Sequence, residues 1–503
     1  MTMTSTIADR HLLKVDGLAE KPLHTAQRVR IVVDGPWAAS RSGQLLTSCL
    51  VNLLSRQVEL VKTIEIDAPT VGSLIALPNG EPAGDFPACL ELIASWAVKR
   101  HVTVTASSGP TAEADVTVMI GTKVAVHSGA ALFAVGDGWK AWVGLPDRAP
   151  TNITPSKANP LGPFLAATLI AGEIFKHFRG LLRGRFLDAD GYSLWSGETS
   201  SNWDELEDGP ELAGLRLRPI HVVGAGAVGN GLAYVLANAR LLEAFALFID
   251  DDTYDGTSLN RCFLAGWQDV EDPKVNAVVA TLIKCGVGAA AFPGTVKQYL
   301  NADRSQLPPD IARQADDLTF DVVVSCVDRG TSRQDVQGLS PSLLFGGSTL
   351  GLGARANFYP SDPGVACLSC FNPSERDGEK LRALESKLRG MDKQQRAAFL
   401  HSNGVESQIV EEYPESPRCG SLGEAALRDL ATRGSAEFSV GFVSLAAALL
   451  LSAKLFQRLL FSTSPHRGNV TSLNFKNGGY LDSFLAPDDN CEWGCQPRRR
   501  ATV

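Results

Sequence analysis

The chain has 503 residues, 44% hydrophobic and 20% charged, an ordinary globular composition and too long for one core. A net charge of -8 argues against a nucleic-acid binder, which carries a basic excess. Ten cysteines in this length do not make a disulfide scaffold, so close-spaced cysteines read as metal ligands or nucleophiles.

Residues 1–20 hold no cationic patch followed by an apolar run, so no secretory signal is expected. In the first half the pattern predicts a strand at 29–33, a helix at 44–54 and a strand at 58–66. A strand at 115–120 and a helix at 164–175 follow. In the second half a strand at 219–223 runs into Gly224-Ala225-Gly226-Ala227-Val228-Gly229 and a helix at 230–239. A strand at 244–249 ends in Asp250-Asp251-Asp252, a helix covers 273–285, and a strand at 321–327 ends at Asp328. This alternation indicates a doubly wound parallel sheet.

Residues 372–434 are charged, with helical spacing over 375–400, and interrupt the second half before a helix at 443–456. The longest uncharged apolar run, 438–453, is shorter than the roughly 18 residues of a membrane span and reads as a buried helix. The two halves share the order and spacing of their elements. Where the second has its glycines, the first has Asp34-Gly35-Pro36-Trp37. Pro36 removes an amide donor and Trp37 would crowd a phosphate. The reading is a duplicated domain whose first copy is degenerate; the alternative is an unrelated N-terminal α/β domain.

A glycine loop between strand and helix can cradle phosphates, but the same fingerprint serves nicotinamide enzymes. The residues after it discriminate. Attack on an α-phosphorus builds negative charge on phosphoryl oxygens, which Arg261 and Lys274 can neutralise, and Asp328 can ligate Mg²⁺. Hydride transfer requires none of these.

These residues resemble the ThiF/MoeB-type adenylating fold shared with ubiquitin-activating enzymes. That pattern falls on Gly224, Gly226 and Gly229, on Asp250 and Asp252, on 257–261, on Lys274, and on Asp328 with Arg333. Ser258 stands where the family has Asn. The resemblance implies that Asp250 binds the ribose, that Asp252 and Ser258 belong to the ATP site, and that Arg261, Lys274 and Asp328 serve the phosphates and metal. An arginine from the paired half often completes such sites, and Arg10 lies at a suitable distance.

Cys367-Leu368-Ser369-Cys370 and Cys491-Glu492-Trp493-Gly494-Cys495 suit a tetrahedral Zn²⁺, and the resemblance implies a structural zinc there. Cys419 lies beside Arg418 near a helix start, where a thiolate is favoured. Ubiquitin-activating enzymes carry their thioester cysteine on such a crossover. The expected layout is α/β, with two Rossmann-like doubly wound domains in tandem. An inactive adenylation-like domain spans 1–195 and an active ATP-binding domain 205–371. A helical crossover insertion bearing the cysteine covers 372–437, and 438–503 returns to the active domain with a zinc-bound C-terminus.

The expected activity is adenylation of a ubiquitin-like protein ending in Gly, thioester formation on Cys419 and transfer to a conjugating enzyme. ATP, Mg²⁺ and Zn²⁺ are the expected cofactors. The compact size resembles activating enzymes of bacterial ubiquitin-like conjugation operons, some of them anti-phage. The alternatives are an adenylyltransferase for a sulfur carrier or peptide without a thioester, a non-catalytic scaffold, and a nicotinamide oxidoreductase. The expected compartment is the cytoplasm, with no nucleic-acid or membrane partner; a homodimer is left open.

Overall fold

The structure is a computed structural model. It describes residues 7, 10–13, 27–105, 113–126, 128–181, 187–303, 305, 307, 309, 320–360, 364–370, 384–402, 405, 410, 423, 426–427, 430, 438–461, 468–489, 491, 493 and 495. The first sheet is built from β1 (Arg28–Val33), β2 (Thr63–Asp67), β3 (Thr103–Thr105), β4 (Val116–Ile120), β5 (Ala130–Asp137), β6 (Lys140–Gly144), β7 (Ala189–Ser193) and β8 (Thr199–Ser200). Its spatial order is β3-β2-β1-β4-β5-β6-β7-β8. The second contains β9 (Ile220–Val223), β10 (Phe245–Ile249), β11 (Gly288–Phe292), β12 (Val322–Ser325), β13 (Leu343–Leu350), β14 (Gly353–Pro360), β15 (Val470–Asn474) and β16 (Gly479–Ser483). Its order, β11-β10-β9-β12-β13-β14-β15-β16, repeats the first strand for strand.

In each sheet the first five strands in this order are parallel and the remaining pairings are antiparallel. The expectation of a parallel sheet is therefore corrected to a mixed one. Parallel neighbours need a crossover, whereas Gly138 (φ +61°) and Gly351 (φ +54°) turn β5 into β6 and β13 into β14 as hairpins. The strand predicted at 58–66 begins only at Thr63, because Leu60 and Val61 donate to the Gln57 carbonyl and turn the chain first.

The helices in chain order are α1 (Gly35–Ala38), α2 (Arg41–Ser55), α3 (Phe86–Val98), α4 (Leu161–Phe178), α5 (Ala227–Asn238), α6 (Lys274–Lys284), α7 (Val296–Asn301), α8 (Gly330–Gly338), α9 (Lys393–Ser402) and α10 (Gly441–Leu460). α4 and α10 occupy equivalent places in the two halves and pack on each other. Phe164 of α4 stacks on Tyr234 of α5, with ring centroids 4.6 Å apart. One apolar core therefore runs through both halves, against the expectation that the chain is too long for one. α10 is long and apolar enough to cross a membrane, yet 83% of its most apolar stretch is buried within the protein. Fully buried side chains such as Leu445, Leu449 and Phe456 each contribute about 1.5–3 kcal/mol by leaving water.

The chain divides into a unit of Met1–Cys370 with Phe438–Val503 and a smaller unit, Phe371–Glu437. The smaller unit has its own core of Leu388, Leu400, Val405, Val410 and Leu427. Of the helix predicted over 375–400, residues 375–383 lie outside the described residues. The rest is helical at 384–389 and in α9, interrupted around Gly390, with Asp392 capping the Gln395 amide.

Candidate active site

β9 has β10 on one side and β12 on the other, so the sheet changes its direction of growth at this strand. Crevices outside the carboxyl ends of strands at such switch points are where open α/β sheets bind ligands. Gly224, Ala225 and Gly226 leave β9 there and lead into α5. Gly224 has φ +98°, and a Cβ on it would come 2.8 Å from the Cys326 carbonyl oxygen. A Cβ on Gly229 would come 2.0 Å from the Gly224 carbonyl oxygen. These two glycines let the loop fold tightly under α5. Gly226 differs: nothing lies within 4 Å of the space its Cβ would fill. It is also the N-cap of α5 with no side-chain capping bond, so the first amides of α5 face an open approach suited to a phosphate.

Asp250, next after β10, ties this loop to its neighbour. One carboxylate oxygen accepts the Ala225 amide at 2.5 Å and the other the Asp252 amide at 2.8 Å. Each oxygen keeps a second lone pair for a ligand hydroxyl. Burial raises the Asp250 carboxyl above its ordinary value, and Lys274 and the two amides pull it back. Asp250, Asp251 and Asp252 also bring carboxylate oxygens within 4.8 Å of one another, close enough for one cation. Lys274 opens α6 and donates to Asp252 at 2.7 Å. Burial opposes its charge, but Asp252 and Asp250 outweigh it and hold the ammonium above its ordinary value.

Arg261 is anchored by its own turn, donating to the Thr257 carbonyl at 2.7 Å and to Asn260 Oδ1 at 2.9 Å. Burial and then Arg10 lower its pKa, while the charges of Asp255 and Asp328 act the other way. Asn260 in turn donates to the Ser439 carbonyl, and the Ser439 amide donates to the Arg10 carbonyl. Ser258 is buried, and its hydroxyl donates to Asp255 at 2.9 Å. That hydroxyl serves the cap of the 256–260 turn. Asp328 is exposed beyond the end of β12, and Arg333 of α8 folds back to the Val327 carbonyl at 3.1 Å.

Asn230 was missed by sequence reasoning. Buried in α5, it donates to the Tyr254 hydroxyl at 2.9 Å and accepts the Leu264 amide at 2.8 Å. It thereby joins the segments on either side of Arg261 to the helix that begins at the glycine loop. The available signal was an amide side chain in an otherwise apolar helix.

Among the described residues, the first half forms no such crevice. Trp37 is buried, and a Cβ on Gly121 would lie 1.9 Å from its indole. The register that sets Val223 opposite Ile249, with Asp250 next, sets Val32 opposite Asp67, with Ala68 and Pro69 next. No carboxylate stands there for the loop, and Asp67 pairs with Arg30.

Cys367, Cys370, Cys491 and Cys495 converge with all sulfurs within 4.8 Å of one another. Sγ–Sγ distances are 3.6 Å (Cys367–Cys491), 3.8 Å (Cys367–Cys370) and 3.5 Å (Cys491–Cys495). These are too long for disulfides. They match the edge of a tetrahedron of Zn–S bonds about 2.3 Å long, which is about 3.8 Å. The four residues fit zinc. Cys419 lies outside the described residues.

The sequence pattern of the ThiF family matches residues 205–492, more than half of the chain. The chain belongs to the ThiF family. In this ThiF-family chain the matched span holds the glycine loop, Asp250, Arg261, Lys274 and Asp328, and residues 28–185 match the BilD N-terminal domain. "Uncharacterized protein y4jF" of Sinorhizobium fredii is 26% identical over 283 residues, covering 55% of the ThiF-family chain and 51% of y4jF. The chain thus spans about half the length of that curated relative. Among solved structures, E. coli MccB with AMPCPP and MccA aligns at 14% identity and a TM-score of 0.35, over 55% of the chain and 66% of MccB. E. coli MccB with ATP aligns at the same identity and TM-score, over 55% of the chain and 65% of MccB.

Proposed function

We propose that this chain uses ATP to activate the C-terminal carboxylate of a ubiquitin-like protein in the cytoplasm. The observation that carries the reading is the convergence at the ends of β9, β10 and β12. An open helix N-terminus, a half-buried carboxylate fixed by backbone amides and the cations Lys274 and Arg261 gather at the switch point. The ThiF match supports adenylation, and the BilD N-terminal match supports a bacterial ubiquitin-like pathway for the partner.

A terminal carboxylate oxygen of the partner attacks the α-phosphorus of ATP. The bond from that phosphorus to the bridging oxygen of pyrophosphate breaks, giving an acyl-adenylate and pyrophosphate. α5 amides, Lys274 and Arg261 offset the charge that develops on the phosphoryl oxygens. Asp250 receives the ribose hydroxyls. Asp328 would hold Mg²⁺, which neutralises phosphate charge when bound. Arg10, whose charge opposes that of Arg261, is the first-half arginine that would assist.

The Cys419 thiolate then attacks the acyl carbon and expels AMP, and the thioester passes to a cysteine of a conjugating enzyme. In this reading 1–195 is an inactive adenylation-like domain and 205–371 the active one. Residues 372–437 carry the thioester cysteine, and 438–503 complete the active domain with a structural zinc. Exchange of labelled pyrophosphate into ATP, dependent on a carrier ending in Gly, is the expected result. No exchange with a carrier proven to bind would sink the adenylation reading. A reducible adduct that persists in Cys419→Ala would remove the thioester from that residue.

A further inference from the structure

α2 is buried along its length, yet it ends on a cation, Arg56, which is 1% exposed. A guanidinium so enclosed needs acceptors for its donors. Arg56 Nε donates to Asn52 Oδ1 at 2.7 Å. One terminal nitrogen donates to the Leu259 carbonyl at 2.7 Å, and the other to the Ala265 carbonyl at 2.9 Å and the Phe263 carbonyl at 3.4 Å. Asn52 adds a donor to the Phe263 carbonyl at 3.3 Å. The guanidinium also lies over the Trp96 ring, 5.6 Å from its centroid.

All three carbonyls belong to the segment 259–265, and Arg261 lies between the first and second of them. The segment is short and irregular, and within it Arg261 is held by the turn that precedes it and by Asn260. Arg56 grips the backbone on both sides of Arg261 from the other half of the molecule. A planar fork of five donors suits three carbonyls arranged around it, whereas a lysine ammonium on a flexible stem does not span them.

We propose that Arg56 is the positioning residue for Arg261, fixing the 259–265 backbone so that the Arg261 guanidinium meets the phosphoryl oxygens during adenylyl transfer. Arg56 touches no nucleotide and acts only through this segment. The first half thereby contributes to chemistry that it does not itself perform. The inference rests on the adenylation reading above.

The test uses the full chain with ATP, labelled pyrophosphate and a carrier ending in Gly. Arg56→Ala and Arg56→Lys are expected to lower kcat for exchange by about tenfold to a hundredfold, with KM for ATP within about twofold. Amide hydrogen exchange rises over 257–265 and stays unchanged over 224–229. Asn52→Ala, a milder change should the Arg56 variants fold poorly, moves kcat and exchange in the same directions by less. A folded Arg56→Lys or Asn52→Ala protein with wild-type kcat and wild-type protection over 257–265 overturns the positioning role while leaving adenylation intact. Absence of exchange in the wild type overturns the adenylation reading and with it this role for Arg56.

Discussion

Gly224 and Gly226 stand two residues apart and respond to alanine in different ways. Gly224→Ala places a side chain at φ +98° and against the Cys326 carbonyl, so unfolding free energy is expected to fall by about 1–3 kcal/mol in a denaturant titration. Gly226→Ala meets no atom within 4 Å and should leave stability within about 0.5 kcal/mol. Its methyl projects into the open approach to α5, so ATP affinity measured by calorimetry should still drop. Unchanged affinity in Gly226→Ala would place the phosphates elsewhere. His221 offers a pH signature. Buried on β9, with Nε2 unpaired among the described residues, it is held down to about 4 by burial, from an ordinary 6.5. The unfolded chain takes up this proton first, so the stability from the neutral ring is complete above pH 6.5. It is lost as pH falls toward 4, by up to about 3 kcal/mol. Relative to wild type, His221→Phe should flatten the pH dependence of the melting temperature over that window. The glycine loop, Asp250, Lys274 and the cysteine pairs were legible at this scale because their spacing along the chain carries their chemistry. Asn230 and Arg56 were not, since a lone amide or arginine in a helix has no meaning until its distant partners are placed.

Among the elements, β1, β2, β4, β9, β10 and β12 and the helices α2, α4, α5, α6 and α10 follow from periodicity and apolar runs. β3, β11, β5 to β8 and β13 to β16 escaped, since the pattern being sought was strand–helix alternation and the β5–β6, β7–β8, β13–β14 and β15–β16 pairs join without a helix. The four-cysteine cluster joins the segment after β14 to the segment after β16. Ser369 and Trp493, beside these cysteines, both donate to Gln334 of α8, at 2.9 Å and 2.8 Å. α8 starts just after Asp328, so the cluster bears on the active edge of the sheet. Purified protein is expected to hold one zinc per chain by metal analysis. Cys491→Ser should release it and lower the melting temperature; full metal content in that variant would exclude the four-thiolate site.

At the scale of the whole molecule, the two halves share one core instead of meeting at a polar boundary. Phe164, fully buried against Tyr234, lies on that seam. Phe164→Ala should cost about 3–5 kcal/mol, read as a single cooperative unfolding transition at lower denaturant. Two separate transitions would show that the halves fold independently. The repeated order of strands was visible in the sequence only as a blurred echo, because topology is preserved where side chains are not.

Trp37 gives this arrangement a direction in time. Its indole rests where a Cβ on Gly121 would lie 1.9 Å away. Replacing Trp37 by glycine would leave a void instead of a phosphate cradle, since Pro36 offers no amide and Ala68 stands where a carboxylate is needed. Several changes would have to arrive together, and each alone would weaken the core that the working half depends on. A half in this state behaves as a ratchet: mutation can refine it as a support for its neighbour far more readily than it can build a nucleotide site in it.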